Sequence, residues 1–393
     1  MQDIAGLGAA AALLIAAAAL TAASPAQPAT GCVPAGTWAV PGGGPVTAQE
    51  ILSRAAREQV VLAGEEHDNA DHHRWQLQAL SVLAALRPKL VLGFEMFPRR
   101  VQPALDRWVA GKLSEAEFLT ASDWSGVWGF DPALYLPLFH FARLNRVPMV
   151  ALNVEREFVR TVGSKGLEAV PADKREGVTD PAPATEPYVE KLFEAYAEHP
   201  EKGRTPARTD PEFRRFIEAQ LVWDRAMAQA LAEAAARHPE ALVIGVMGSS
   251  HIADGHGVPH QLRSLGIQRI ASLLPWAADA DCAKLAPGYA SAVYGFPPAL
   301  RAPPVPPRPL LGITLDVVPE GVKVLIVNSG SIAEAAGLKS GDILFEAAGS
   351  AVKTPADVRA RVFAMAPGTL LPLKVLREGA TLELIAKFPP SHK

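Results

Sequence analysis

Cysteine is nearly absent from this 393-residue chain, which has only Cys32 and Cys282. That excludes a cysteine-rich zinc framework and a disulfide-dense scaffold. There is no Cys-x-x-Cys-His segment, so covalent c-type haem attachment is excluded. There is no Gly-x-x-x-x-Gly-Lys phosphate loop, so nucleotide chemistry has no support. Charge of one sign is missing too: 38 basic against 41 acidic residues leave a net charge of −3, which argues against a nucleic-acid partner. Long apolar runs are confined to the first residues.

Residues 4–23 are almost entirely Ala, Leu, Ile and Gly, without charge, followed by Ser24-Pro25-Ala26. This reads as the apolar core and cleavage zone of a secretory signal over residues 1–26, although no Lys or Arg precedes it. A retained anchor is the alternative, as is lipid attachment at Cys32 in Ala29-Thr30-Gly31-Cys32; either would bring membrane contact. The sequence therefore predicts an exported protein, periplasmic or outer-membrane-associated. An even pair of cysteines in an oxidising space predicts a Cys32–Cys282 disulfide.

Seven prolines fall within Phe296–Pro309, which suits a semi-rigid spacer and divides the chain. Residues 32–295 then form one domain and residues 310–390 another. In the first, strand-like runs begin at Val60, Leu90, Val147, Leu242 and Ile267, separated by helical patterns such as Asp71–Leu86, Val101–Ala110 and Glu212–Ala235. Because the runs are continuously apolar, they predict an α/β fold, a mostly parallel sheet flanked by helices on both faces.

Each strand candidate runs into polar residues: Gly64-Glu65-Glu66-His67, Gly93-Phe94-Glu95, Asn153-Val154-Glu155-Arg156 and Gly248-Ser249-Ser250-His251. Parallel strands would bring these turns to one carboxyl edge, where α/β folds place their sites. Glu65, His67, Glu95 and His251 are the candidate catalytic set. His67, His251 and Glu95 have the nitrogen and oxygen donors of a divalent metal site, for Zn or Mn. General acid–base work by a carboxylate-flanked histidine suits the same residues. The aromatic concentration from Trp124 to Phe141 reads mainly as core. It also offers a flat pocket for a planar ligand, with Tyr135 or His140 in reach of its metal.

Residues 310–390 closely resemble a PDZ domain of the bacterial protease-associated kind, through Leu311-Gly312-Ile313, Ala336-Gly337-Leu338 and Gly341-Asp342. The resemblance implies a small β-rich domain in which Leu311, Gly312 and Ile313 hold a peptide C-terminus, with the helix Pro355–Ala366 as the other wall of the groove. The larger domain resembles the ChaN-like haem-binding proteins of the Tiki superfamily. The matching residues are Gly64-Glu65-Glu66-His67-Asp68-Asn69, His73-Arg74-Trp75-Gln76, Gly93-Phe94-Glu95-Met96-Phe97-x-Arg99, Trp124–Phe130 and Gly248–His251. This implies haem as cofactor, a role in iron uptake, homodimers that enclose stacked haems, and a Tyr ligand for which Tyr135 is the nearest match. His140 and Arg99 complete the expected cofactor-binding set. The wider superfamily implies instead a metal-dependent hydrolase or peptidase built on the two Gly-x-x-His motifs and Glu95. A non-catalytic adaptor acting through the PDZ groove is the third reading.

Overall fold

The computed structural model describes residues 32–198, 206–298 and 310–390. The expected signal segment and residues 299–309 of the expected spacer lie outside the described residues. The chain divides into two compact units, Met1–Ala299 and Leu300–Lys393.

The larger unit is built on eight strands: β1 (Trp38–Val40), β2 (Gly44–Val46), β3 (Val60–Glu65), β4 (Leu90–Pro98), β5 (Met149–Asn153), β6 (Leu242–Gly248), β7 (Ile270–Ala277) and β8 (Ala292–Phe296). Their order is β2-β1-β8-β7-β3-β6-β4-β5. The strands from β3 to β8 pair in parallel. Only β1 and β2 run antiparallel, as a hairpin on the β8 edge. Every residue of β3, β4 and β6 is buried. Val61 and Ala63 enter one core with Leu92 and Phe94, while Val60 and Leu62 enter a second with Val91 and Val243. Alternating side chains thus point to opposite faces, both covered, which is why these strands read as unbroken apolar runs.

The helices Ala70–Leu86, Gln102–Val109 and Leu136–Leu144 contribute Leu80, Leu105, Trp108 and Phe139 to the first core. The 27-residue helix Pro211–Arg237 covers the other face through Met227, Ala230, Leu231 and Ala234. The polar segment 171–187, which contains four prolines, is pinned to this helix. Arg225 donates to the Thr179 hydroxyl, and Gln229 Nε2 donates to the Gly177 carbonyl.

The fifth strand candidate is β7, which begins at Ile270, three residues later than its apolar run suggests, and continues to Ala277. The hairpin and β8 had no counterpart in the sequence reading. At three residues each, β1 and β2 are too short to carry an alternation.

The smaller unit is an antiparallel sheet of β9 (Ile313–Val318), β10 (Gly321–Val327), β11 (Ile343–Ala347), β12 (Ser350–Ala351), β13 (Leu370–Arg377) and β14 (Ala380–Lys387), ordered β14-β13-β11-β10-β9 with β12 on β11. The Gly341-Asp342 turn has a structural role. Buried Asp342 accepts from Arg377 Nε and Nη2, 2.7 Å each, and from the Lys339 amide at 2.8 Å.

Phe139, fully buried, meets the rings of Phe94, Phe97, Phe118 and Trp124. Replacing it by Ala is expected to cost about 3–5 kcal/mol, read as a lowered denaturation midpoint with an unchanged slope.

Candidate functional site

Strands β3, β6 and β4 lie side by side at the sheet centre, and their carboxyl ends carry Glu65, the Gly248–His251 turn and Glu95. Register sets the level: Glu65 is opposite Gly248, and Phe94 opposite Val246. Gly248 donates its amide to Glu95 Oε2 at 2.6 Å. A Cβ on Gly248 would sit 3.1 Å from His67 Cε1, so the glycine leaves room for the imidazole.

His67 Nδ1 lies 2.6 Å from Glu65 Oε1, and no described residue bonds its Nε2. The buried carboxylate fixes the tautomer, with the proton on Nδ1 and the lone pair on Nε2. Burial pushes Glu65 up, while Glu65 beside it outweighs burial at His67 and raises that imidazole. The His67 carbonyl accepts from Tyr135 Oη at 3.1 Å and lies 3.2 Å from His73 Nε2. His73 is held in turn by Gln76, which donates to the Ala63 and Gly64 carbonyls.

His251 sits between two buried carboxylates, with Nδ1 2.6 Å from Asp224 Oδ1 and Nε2 3.5 Å from Glu95 Oε1. Burial alone would favour its neutral form. The charges of Glu95 and Asp224 outweigh that and hold it up at about 10. Glu95 is pulled down by His251, against its own burial. Tyr188 Oη donates to Asp224 Oδ2 at 2.7 Å, extending the chain away from the sheet.

Among the described residues, Glu65, His67 and Glu95 offer ligand atoms within 4.8 Å of one another. His251 is not in that group. Its Nδ1 faces Asp224 and its Nε2 lies 3.5 Å from Glu95 Oε1, so the structure sets it beside Glu95 and outside the group in which it was expected as a metal ligand.

Beside His67 opens a cavity of about 720 Å³, walled by Trp128, Phe130, Trp223 and Met96, with Glu155 and Arg156 on its lining. The rings of Trp128 and Phe130 pack 4.7 and 5.4 Å from that of His67. The turn after β5 therefore reaches this cavity without joining the carboxylate–imidazole cluster.

The structure places none of the expected cofactor-binding residues Tyr135, His140 and Arg99 on the lining of this cavity. Tyr135 is fully buried against Trp124, His73 and Phe139, its hydroxyl committed to the His67 carbonyl, and burial drives its phenol far above the ordinary range. His140 bonds Glu115 at 3.1 Å and packs on Trp108, away from the cavity lining. Arg99 donates to the Glu176 carbonyl and is also off the lining.

Asp224 was missed by the sequence reading, which took Glu212–Ala235 only as a helical pattern and sought site residues at the strand ends. A lone Asp between Val222 and Ala226, both buried, was the available signal. His72 accepts from the Glu66 amide and, beside the N-cap Asn69, closes the helix start; burial lowers it to about 4.

Cys32 and Cys282 are also brought together: the Cys32 amide donates to Cys282 Sγ at 3.1 Å, and both thiols are free. The expected disulfide is thus not formed in this structure, although the two residues adjoin.

In the smaller unit, β9 is a sheet edge, and the helix Pro355–Phe363, three residues shorter than expected, packs beside it. Leu311 is buried with Val358 and Val362, and Ile313 packs against them. Gly312 has φ +78°, and a Cβ there would come 2.5 Å from Ser331 Cβ. Its carbonyl accepts from Asn328, and that of Leu311 from Ala333, which fixes the loop.

His251 takes up its proton more tightly folded than unfolded. Its contribution to stability is complete below about pH 6.5 and lost as pH rises through about 10. The stability advantage of wild type over His251→Gln, measured by thermal unfolding, is expected to shrink steadily across that interval.

The model of the family described as haem-binding uptake, Tiki superfamily, ChaN matches residues 51–262, and a PDZ model matches residues 309–387. No curated protein matches significantly. Among solved structures, ChaN of Campylobacter jejuni, described as binding haem cofacially, is similar at 17% identity and a TM-score of 0.50, over 65% of this chain and 95% of that one; this shows the shared fold. The PDZ domain of HtrA3 bound to a phage-derived ligand matches at 22% identity and TM-score 0.19, over 20% of this chain and 82% of that one. A serine endoprotease from Yersinia pestis matches at 27% identity and TM-score 0.20, over 22% and 30%. With its parallel sheet, its two Gly-x-x-His turns facing Glu95 and a family match over more than half its length, the chain belongs to the ChaN-like haem-binding family of the Tiki superfamily and carries a PDZ domain behind it.

Proposed function

We propose that this protein binds haem in the cavity beside His67 and handles it outside the cytoplasm in iron acquisition, while its PDZ domain recruits a protein C-terminus. The observation that carries the reading is the cavity: about 720 Å³, aromatic on its walls, with one imidazole and several guanidinium groups on its lining. Those residues fit the group. Trp128, Phe130, Trp223 and Met96 provide apolar and aromatic surface for a planar macrocycle. His67 is the only imidazole among the lining residues, and its Nε2 has no partner among the described residues. Haem would supply an iron centre that takes an axial nitrogen donor. Glu65, by holding Nδ1–H, orients that donor and raises its basicity.

Purified protein titrated with hemin is expected to shift the Soret band. Trp128→Ala should weaken binding, and His67→Ala should move the band. Tyr135→Phe should leave its position unchanged, because the phenol is committed to the core. A Soret band that moves in Tyr135→Phe and not in His67→Ala would refute the ligand assignment.

A second reading is favoured by the grouping of Glu65, His67 and Glu95 within 4.8 Å. There a divalent ion would polarise a water, His251 would supply a proton beside it, and the chain would act as a hydrolase or peptidase. His251→Ala separates the two: it abolishes turnover of a peptide library under hydrolysis and leaves the hemin spectrum intact under haem binding.

Export would place Cys32 and Cys282 in an oxidising compartment, where their adjacency allows a disulfide across 250 residues. Protein isolated from its own compartment is expected to show no free thiol before reduction and two after it. Two free thiols at the outset would remove this support for export. In the PDZ domain, the open edge of β9 and the Gly312 loop support addition of a C-terminal peptide strand. Gly312→Val, which cannot hold that loop, should lose peptide binding measured by fluorescence polarisation.

A further inference from the structure

The rim of the same cavity carries a charge that the protein leaves unanswered. The helix Arg156–Lys165 buries Phe158 and Val162 against the small core around Val154 and Val222. Residues at i, i+3 and i+4 share a helix face, and Arg156, Val159 and Arg160 all line the cavity. Arg160 is paired with Glu157 at 3.0 Å, and Arg100 with Glu155 at 2.7 Å and Asp123 at 2.9 Å. Arg156 differs from both. It donates from Nη2 to the carbonyl of Val127 at 2.6 Å and that of Trp128 at 3.4 Å, neutral acceptors on the aromatic wall, and no carboxylate of the described residues pairs with it. It also stands in the first turn of its helix, whose N-cap Glu155 makes no side-chain cap bond.

Resting on the haem reading, we infer that Arg156 is a specificity-determining residue: an uncompensated guanidinium, fixed to the Val127–Trp128 wall, that grips a carboxylate of a planar apolar ligand. The selected ligand is then a tetrapyrrole in its free-acid form, its ring against the aromatic wall and a propionate at the rim. Guanidinium and carboxylate match in geometry, and the pairing is strong where one face is shielded by the wall. The Glu157–Arg160 pair is exposed and worth little by itself, so Arg160 is free to exchange its partner for the second carboxylate.

The test compares hemin with hemin dimethyl ester, in one detergent buffer, by absorbance and by quenching of tryptophan fluorescence. Wild type is expected to bind the acid at least about tenfold more tightly than the ester. Arg156→Gln should lose about tenfold on the acid and nothing on the ester, and Arg156→Lys should recover part of the loss. Equal affinity of wild type for acid and ester overturns the inference while leaving haem binding intact, and that comparison needs no variant. An equal loss on both ligands in Arg156→Gln also overturns it, since Arg156 would then merely prop the wall. If wild type binds neither ligand, the haem reading itself falls.

Discussion

The buried chain from Asp224 through His251 to Glu95 and the Gly248 amide is the constraint on which the site depends. It links the long helix on one face of the sheet to β4 and β6 at its centre. Three ionisable groups out of water are tolerable only when opposite charges face one another. Here an imidazolium lies between two carboxylates, and one carboxylate is also capped by a backbone amide. With His251 so occupied, the second imidazole, His67, is left with one nitrogen uncommitted. The fold thus divides labour between its two Gly-x-x-His turns: one histidine is locked into charge, the other is held ready as a donor.

The cavity lies where this arrangement ends. The aromatic segment after the helix Glu115–Ala121 splits in two. Trp124, Tyr135 and Phe139 turn into the core, while Trp128 and Phe130 turn outward beside His67. Tyr135 joins the halves through its bond to the His67 carbonyl. The core and the binding wall are therefore one continuous ring cluster, and their rigidity is shared.

Much of this architecture was legible in the sequence. Strands buried on both faces leave unbroken apolar runs, so β3, β4 and β6 announced themselves, and the polar residues following them marked the carboxyl edge. Asp224 was not legible, because one acid among the four in a 27-residue helix resembles a solvated position until its neighbours are seen to be buried. For Tyr135 and His140 residue type suggested a ligand, and only packing shows that one is sealed in core and the other turned to Glu115. Arg156 was marked in the sequence only as part of the polar turn after its strand; what sets it apart is the lack of a counter-charge among the described residues, which is a fact of space.

At one margin of the large sheet, β2 is only three residues long and carries Pro45, which has no amide hydrogen to offer. That border is a poor template for a passing polypeptide, a guard against sheets fusing edge to edge. The PDZ sheet leaves six residues of β9 along its own border. Strand recruitment is thereby steered away from the haem-family domain at that margin, so that the chain can take hold of another protein's tail without inviting its own larger sheet to polymerise.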